Sequence, residues 1–315
     1  MLLKKLMEIQ SPSGREGELK DFVRSFLENC GYEIFEKELF LLANKREKLL
    51  VATHLDTVSL KADFRIEGNY AFGTGVADAK ASIAAILEAA ERGLDYALAF
   101  FCEEEESGKG SREFLNYWNG KYAIVMEPTN LKIASKHLGC IEVDLKFKGF
   151  SCHASMPEHG VNAIEKAFKV YSDLSRKFKV SILRIEGGSY EYVIPEHCFI
   201  RLDFLLEPGE LQMAMDELKK LDAEINIVEA VDGFYSKEVA KILAKAVELC
   251  GKVPEFTTMP SWTDACNLSK KFDVVVWGPG ELKDCHTNRE KVDLREIEVA
   301  REVLCKLNEI YKNIF

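Results

Sequence analysis

His54 and Asp56 stand two residues apart in LVATHLDTV (50–58), where an apolar run passes straight into a histidine and a carboxylate. At the mouth of a buried strand, this spacing suits a metal-ligating imidazole and a carboxylate that orients it through its second ring nitrogen. Asp78, Glu105, Glu127 and His286 follow in the order that a hydrolase with two metal ions would need. Two histidines and three carboxylates form a nitrogen and oxygen set matched to zinc, cobalt or manganese rather than to calcium. Two ions about 3.5–4 Å apart need a bridging carboxylate. Asp78, held between the Gly-rich GTGVADAK stretch and a helix, is the best candidate for that bridge.

The run CEEEESGKG (102–110) crowds four carboxylates together. Glutamates at a helix start complement its dipole and are ordinarily solvated. Here, however, the run begins directly after the fully apolar ALAFFC, and a strand end in an open α/β sheet is where functional carboxylates belong. One glutamate is expected to bind a metal. Its neighbour, left unligated, would take a proton from the attacking water and return it to a leaving amine.

The elements that must position these residues alternate. A helix is expected over 15–30, with Leu19, Phe22, Val23, Phe26 and Leu27 on one face and Gly31 as its stop. Buried strands follow at 48–55, 97–102 and 122–127, separated by an alanine-rich helix over 77–90 and another near 110–118. This rhythm predicts a mostly parallel sheet covered on both faces. Near residue 140 the pattern changes to two-residue alternation: strands at 141–149, 181–188, 198–206 and 223–230, with helices at 160–178 and 209–221. Strand, helix, strand, strand, helix, strand is the split βαβ, ferredoxin-like order. A helix (236–250), a strand (273–278), a Gly-Pro-Gly turn and a last helix from about 293 resume the first pattern. The reading is an α/β catalytic domain, 1–139 and 232–315, interrupted by an α+β insert, 140–231.

Composition narrows the class. The chain has 315 residues, a formal net charge of −10 and no long basic run, which argues against nucleic-acid partners. No window reaches the roughly 18 apolar residues that span a bilayer, and MLLKKLMEIQ lacks the features of a secretory signal. The nine cysteines are scattered, odd in number and without a CxxC pair, as expected of reduced thiols in a cytoplasmic protein.

Taken together, HLDTV (54–58), GTGVADAKA (73–81), EEESGKGSR (104–112), MEPT (126–129) and GPGELKDCHTNREKV (278–292) resemble the co-catalytic zinc amidohydrolases, over nearly the whole chain. That family includes acetylornithine and acetyl-lysine deacetylases, succinyl-diaminopimelate desuccinylase, aminoacylases and related carboxypeptidases. The resemblance implies one metal on His54, Asp78 and Glu127 and another on Asp78, Glu105 and His286, with Glu104 as proton shuttle. A one-residue shift would instead give Glu105 and Glu106. It also implies a cis peptide at Asp78–Ala79, and a lid and dimerisation role for the insert. GFSCHASMPEHGVNAI (149–164) is similar to the family segment whose histidine, here His153, reaches a partner subunit's active site to hold the oxyanion. Asn162 in that segment and Gly280 in the Gly-Pro-Gly turn are further substrate-contact candidates, while His137, His159 and His197 are expected to be local, non-catalytic groups.

Two positions depart from the family. Its carboxylate-gripping arginine in the second lid strand is Leu205 here, leaving Arg201 as a substitute, and its asparagine before the lid proline is Tyr192. The expected activity is hydrolysis of an N-acylated amino acid in the acetyl-lysine or acetylornithine manner, including members that release the amino acid from a carrier protein. A desuccinylase or a metal-dependent dipeptidase or carboxypeptidase is the alternative. A non-catalytic dimeric binding relative is disfavoured because no ligand and no base is missing.

Overall fold

The computed structural model describes residues 1–59 and 62–314. The chain divides into two compact units, one of 1–136, 236–259 and 263–315, the other of 137–235 and 260–262.

The first unit is built on a mixed sheet. Its centre is parallel: Leu49–His54 lies between Ala97–Phe101 and Tyr122–Val125, and Asp273–Val276 follows outside Tyr122–Val125. These strands are apolar and buried almost throughout, as strands covered on both faces must be. An antiparallel hairpin, Ile34–Lys37 and Phe40–Ala43, extends one side, and Ile133–His137 pairs antiparallel on the other. The sequence reading lacked the hairpin and the Ile133–His137 strand. Helix Gly17–Asn29 buries Leu19, Val23 and Leu27 against the core, and Gly31, at φ +87°, supplies the left-handed turn that ends it. Ala81–Ala90 is packed so closely that almost every side chain is buried, which its small residues permit.

One expected helix start is displaced. Alanine-rich composition predicts a helix from Ala77, yet Asp78 and Ala79 have non-helical dihedrals inside a wide turn, Val76–Lys80, before regular helix begins at Ala81. The Asp78–Ala79 peptide is cis.

The second unit is a four-stranded antiparallel sheet in the order Lys179–Gly187, His197–Leu206, Gly139–Lys148, Glu224–Val231. Alternate residues of its two central strands are buried, Ile141, Val143, Leu145 and Phe147 facing the same core as Ile200, Leu202 and Phe204. Helices Ala163–Ser175 and Leu211–Leu218 close that core. The nine cysteines are free thiols. Among the described residues, no helix is long and apolar enough to cross a membrane.

Candidate metal centre

His54 is the last residue of its strand, and Glu127 lies just past the end of the neighbouring one. Because these strands are parallel and in register, Ala52 opposite Val125, both side chains leave the sheet at the same edge. The edge is stitched by Met126 N–H donating to the Ala52 carbonyl at 2.7 Å and Thr53 Oγ1 donating to the Met126 carbonyl at 3.0 Å. His54 Nε2 then lies 2.9 Å from Asp78 Oδ1 and 3.7 Å from Glu127 Oε2. On the other side of Asp78, His286 Nε2 lies 3.4 Å from Oδ2 and 3.0 Å from Glu105 Oε2. Two groupings result, His54 with Asp78 and Glu127, and Asp78 with Glu105 and His286, and Asp78 turns one oxygen to each.

A further set of polar groups fixes the backbone beneath these side chains. Asp56 is fully buried. Its Oδ1 accepts the Glu104 N–H and its Oδ2 the Glu105 N–H, each at 3.0 Å, while Ser13 Oγ donates to Oδ2 at 2.7 Å. Oδ1 also lies 3.4 Å from His54 Nδ1. Glu16 Oε1 accepts the N–H of Glu103, whose φ of +57° turns the chain sharply as it leaves the strand. This turn sends Glu105 toward His286 and leaves Glu104 buried but outside both groupings.

Four carboxylates, Asp78, Glu104, Glu105 and Glu127, meet two imidazoles here; all are largely buried except His286, which is half exposed. Burial raises the carboxyls of Glu104, well above the usual range, and of Glu127, to about 8. Burial would depress the His54 imidazole, but the charges of Glu127 and Glu104 outweigh it and raise it well above its ordinary value. Hydrogen bonds to Asp78 and Glu105 raise His286 to about 10. Burial opposes ionisation of Asp78, yet hydrogen bonds from His286 and His54 prevail and hold it below the usual carboxylate range. Glu127 Oε1 is buried without a hydrogen-bond partner. Unpaired buried carboxylate oxygens are costly, and nitrogen and oxygen donors gathered this closely suit a divalent cation in each grouping.

A family model described as "Peptidase family M20/M25/M40" matches residues 50–309. The chain belongs to that family. M20 membership makes the protein a metal-dependent hydrolase of amide or peptide bonds. A [LysW]-lysine/[LysW]-ornithine hydrolase of Sulfurisphaera tokodaii is 28% identical over 319 residues, covering 95% of this chain and 91% of that one. Aminopeptidase PepT of Bacillus cereus has the same fold, with a TM-score of 0.84 at 21% identity over 98% of this chain and 97% of that one. The YXEP protein of Bacillus subtilis, described as a dinuclear metal-binding peptidase of the M20 family, gives 0.75 at 16% identity over 99% and 97%.

The remaining residues singled out in the sequence belong to the second unit or are already engaged. His153 is in the second unit, exposed, with Nδ1 2.7 Å from Ser155 Oγ and its ring edge-on to Tyr192. Asn162 caps helix Ala163–Ser175, its Oδ1 accepting the N–H groups of Ile164 and Glu165. The Arg201 guanidinium is held by Asp144 at 2.6 and 2.9 Å and by Glu142 at 3.1 Å, so it is not the free clamp expected from strand alternation. Gly280 donates its N–H to Glu296, and its carbonyl accepts from Asn130. An added Cβ there would lie 2.7 Å from that of Ala77, which explains the glycine.

Four residues of the first unit were not singled out from sequence: Ser13, Glu16, Glu290 and Asp264. Ser13 and Glu16 belong to the turn signal SPSGRE before the first long helix. Asp264, fully buried, follows the helix-capping Thr263, and burial raises its carboxyl to about 7.

Proposed function

We propose that the protein is a two-metal amidohydrolase that removes the acyl group from the amino nitrogen of an amino-acid derivative, in the manner named for the LysW-lysine and LysW-ornithine hydrolases. Lysine or ornithine amide-linked to a carrier protein's terminal glutamate is then the natural substrate class. The observation that carries this reading is the placement of Asp78, with one oxygen in each of two ligand groupings and the unligated carboxyl of Glu104 buried beside them.

In this reading His54, Asp78 and Glu127 hold one ion, and Asp78, Glu105 and His286 the other, zinc first, with cobalt or manganese as substitutes. Bound ions of this kind polarise a carbonyl and acidify water near neutral pH. The protein's own groups do the rest. Asp56 fixes the imidazole of His54 and the backbone of the glutamate pair. Glu104 accepts the proton of the attacking water and delivers it to the departing amine. His153, donated by a partner subunit through a dimer of the inserted domain, hydrogen-bonds the developing oxyanion. The nine free thiols support a cytoplasmic setting.

The test is hydrolysis of N-acetyl-ornithine, N-acetyl-lysine, succinyl-diaminopimelate, simple dipeptides and a peptide with lysine amide-linked to a terminal glutamate, with and without added zinc or cobalt. Turnover of the glutamate-linked lysine or an acetylated amino acid is expected. Failure of metal-loaded protein on every substrate would overturn the assignment, and turnover restricted to succinyl-diaminopimelate or dipeptides would move it to the alternative branch.

A further inference from the structure

The turn that carries Asp78 is held from the far end of the chain. Strand Lys291–Asp293 pairs antiparallel with Tyr70–Phe72, Lys291 opposite Phe72, and this pairing delivers Glu290 beneath the Gly-rich loop that follows. There Glu290 Oε2 accepts the Gly75 N–H at 3.0 Å, and Oε1 accepts those of Ala77 at 3.0 Å and Asp78 at 3.2 Å. Its main-chain carbonyl takes a fourth, from Gly73, at 3.3 Å. The side chain is 1% exposed. Gly75, at φ +76°, has no room for a side chain, because an added Cβ would meet Thr57 Cγ2 at 2.3 Å.

We propose that Glu290 is a positioning residue for both metal groupings, setting the turn from which Asp78 aims its two oxygens in different directions. The proposal rests on the two-metal reading above. Its chemical basis is the count of donors: all three side-chain partners are N–H groups, and both carboxylate oxygens are used. A glutamine keeps the shape but must turn its own NH2 against at least one of them. A carboxylate that merely stabilised a helix start would not require acceptors at both ends. Because Asp78 is shared, tilting it disturbs the two groupings together, whereas loss of Glu127 or His286 disturbs one.

The test compares the wild type with Glu290→Gln and Glu290→Asp. Chelator-stripped protein is titrated with Co(II) alone and followed by visible absorption and calorimetry, with circular dichroism establishing that each variant is folded. Wild type is expected to take up two ions, and fewer would refute the two-metal reading itself. Glu290→Gln should weaken both ions by about 10–100-fold, the usual effect of removing a ligand's supporting partner, and change the Co(II) spectrum. Glu290→Asp, with two acceptors on a shorter stem, should lie between. Two ions bound to Glu290→Gln with wild-type affinity and spectrum, or weakening of one ion only, would overturn the inference. If the glutamine variant does not fold, the aspartate variant decides, and its wild-type binding would likewise overturn the inference.

Discussion

Asp56 accepts the backbone N–H of Glu104 on Oδ1, the oxygen that also lies 3.4 Å from the ring of His54. One buried carboxylate thereby stands beside the ring of a proposed ligand while it holds the backbone of the proposed base. Asp56→Asn should therefore damage both. Its amide nitrogen would face an N–H of Glu104 or Glu105, and kcat and ion affinity should each fall by about 10–100-fold. Kinetics together with metal analysis check this, and a loss confined to kcat would mean that Asp56 serves only the glutamate turn.

Glu104→Gln separates binding from chemistry. The variant should retain two ions, since Glu104 stands outside both groupings, and lose turnover by about 100- to 10,000-fold, the range for a general base. Appreciable activity, or loss of an ion, would assign the two roles the other way round.

His153→Ala should lower kcat by about 100- to 1,000-fold with little effect on ion content, as expected for a single oxyanion donor. If the histidine crosses a dimer, re-associating Glu104→Gln with His153→Ala subunits restores activity to about a quarter of the sites, one site in each mixed dimer. No recovery, or only monomer in sedimentation, would place His153 outside the machinery.

His137 makes a prediction about acid stability that does not involve the ligands. Its ring is fully buried, stacked on Phe234, with Nδ1 donating to the Leu138 carbonyl at 2.7 Å. Burial lowers it to about 4, against about 6.5 in an unfolded chain. Between those values the unfolded chain takes up the proton and the folded chain does not. Stability therefore falls as pH drops through that window, by up to about 3 kcal/mol. Denaturant titrations in chelator, wild type against His137→Phe, should show the variant losing less between pH 7 and 4.5. Parallel profiles would count against the buried neutral ring.

Chelation should lower the thermal midpoint reversibly, since the clustered carboxylates lose the cations that offset them. An ion at 100 times its dissociation constant stabilises a folded state by about 2.7 kcal/mol. Melting with chelator, then with zinc restored, measures it, and a midpoint indifferent to both would argue that the groupings hold no ion.

The two groupings were legible in part because His54, Glu105 and Glu127 end or follow buried apolar strands, and a charge at the end of a buried strand has few structural uses. The mostly parallel sheet and the ferredoxin-like insert were legible from the switch between continuous and alternating apolar patterns. The displaced helix start was not. ADAKASIAAILEAA is dominated by alanine and other good helix formers, and the turn at Asp78 is held by Glu290, 212 positions later. Arg201 misled for a related reason: its partner Asp144 stands directly opposite on the adjacent strand, a pairing visible only once the register is known. Asn162 and Gly280 carry signals of helix capping and close packing that resemble functional ones.

The first unit is interrupted in sequence, and this gives the centre an order of birth. His54, Asp78, Glu105 and Glu127 all precede the second unit, while His286 and Glu290 follow it. A chain still emerging from the ribosome thus owns every donor of one grouping before it has the histidine of the other, and before Asp78 has its clasp. If each grouping holds an ion, loading of the complete pair waits for His286, and a message cut short after the second unit should encode at most a one-ion protein, which metal analysis of such a truncation would check.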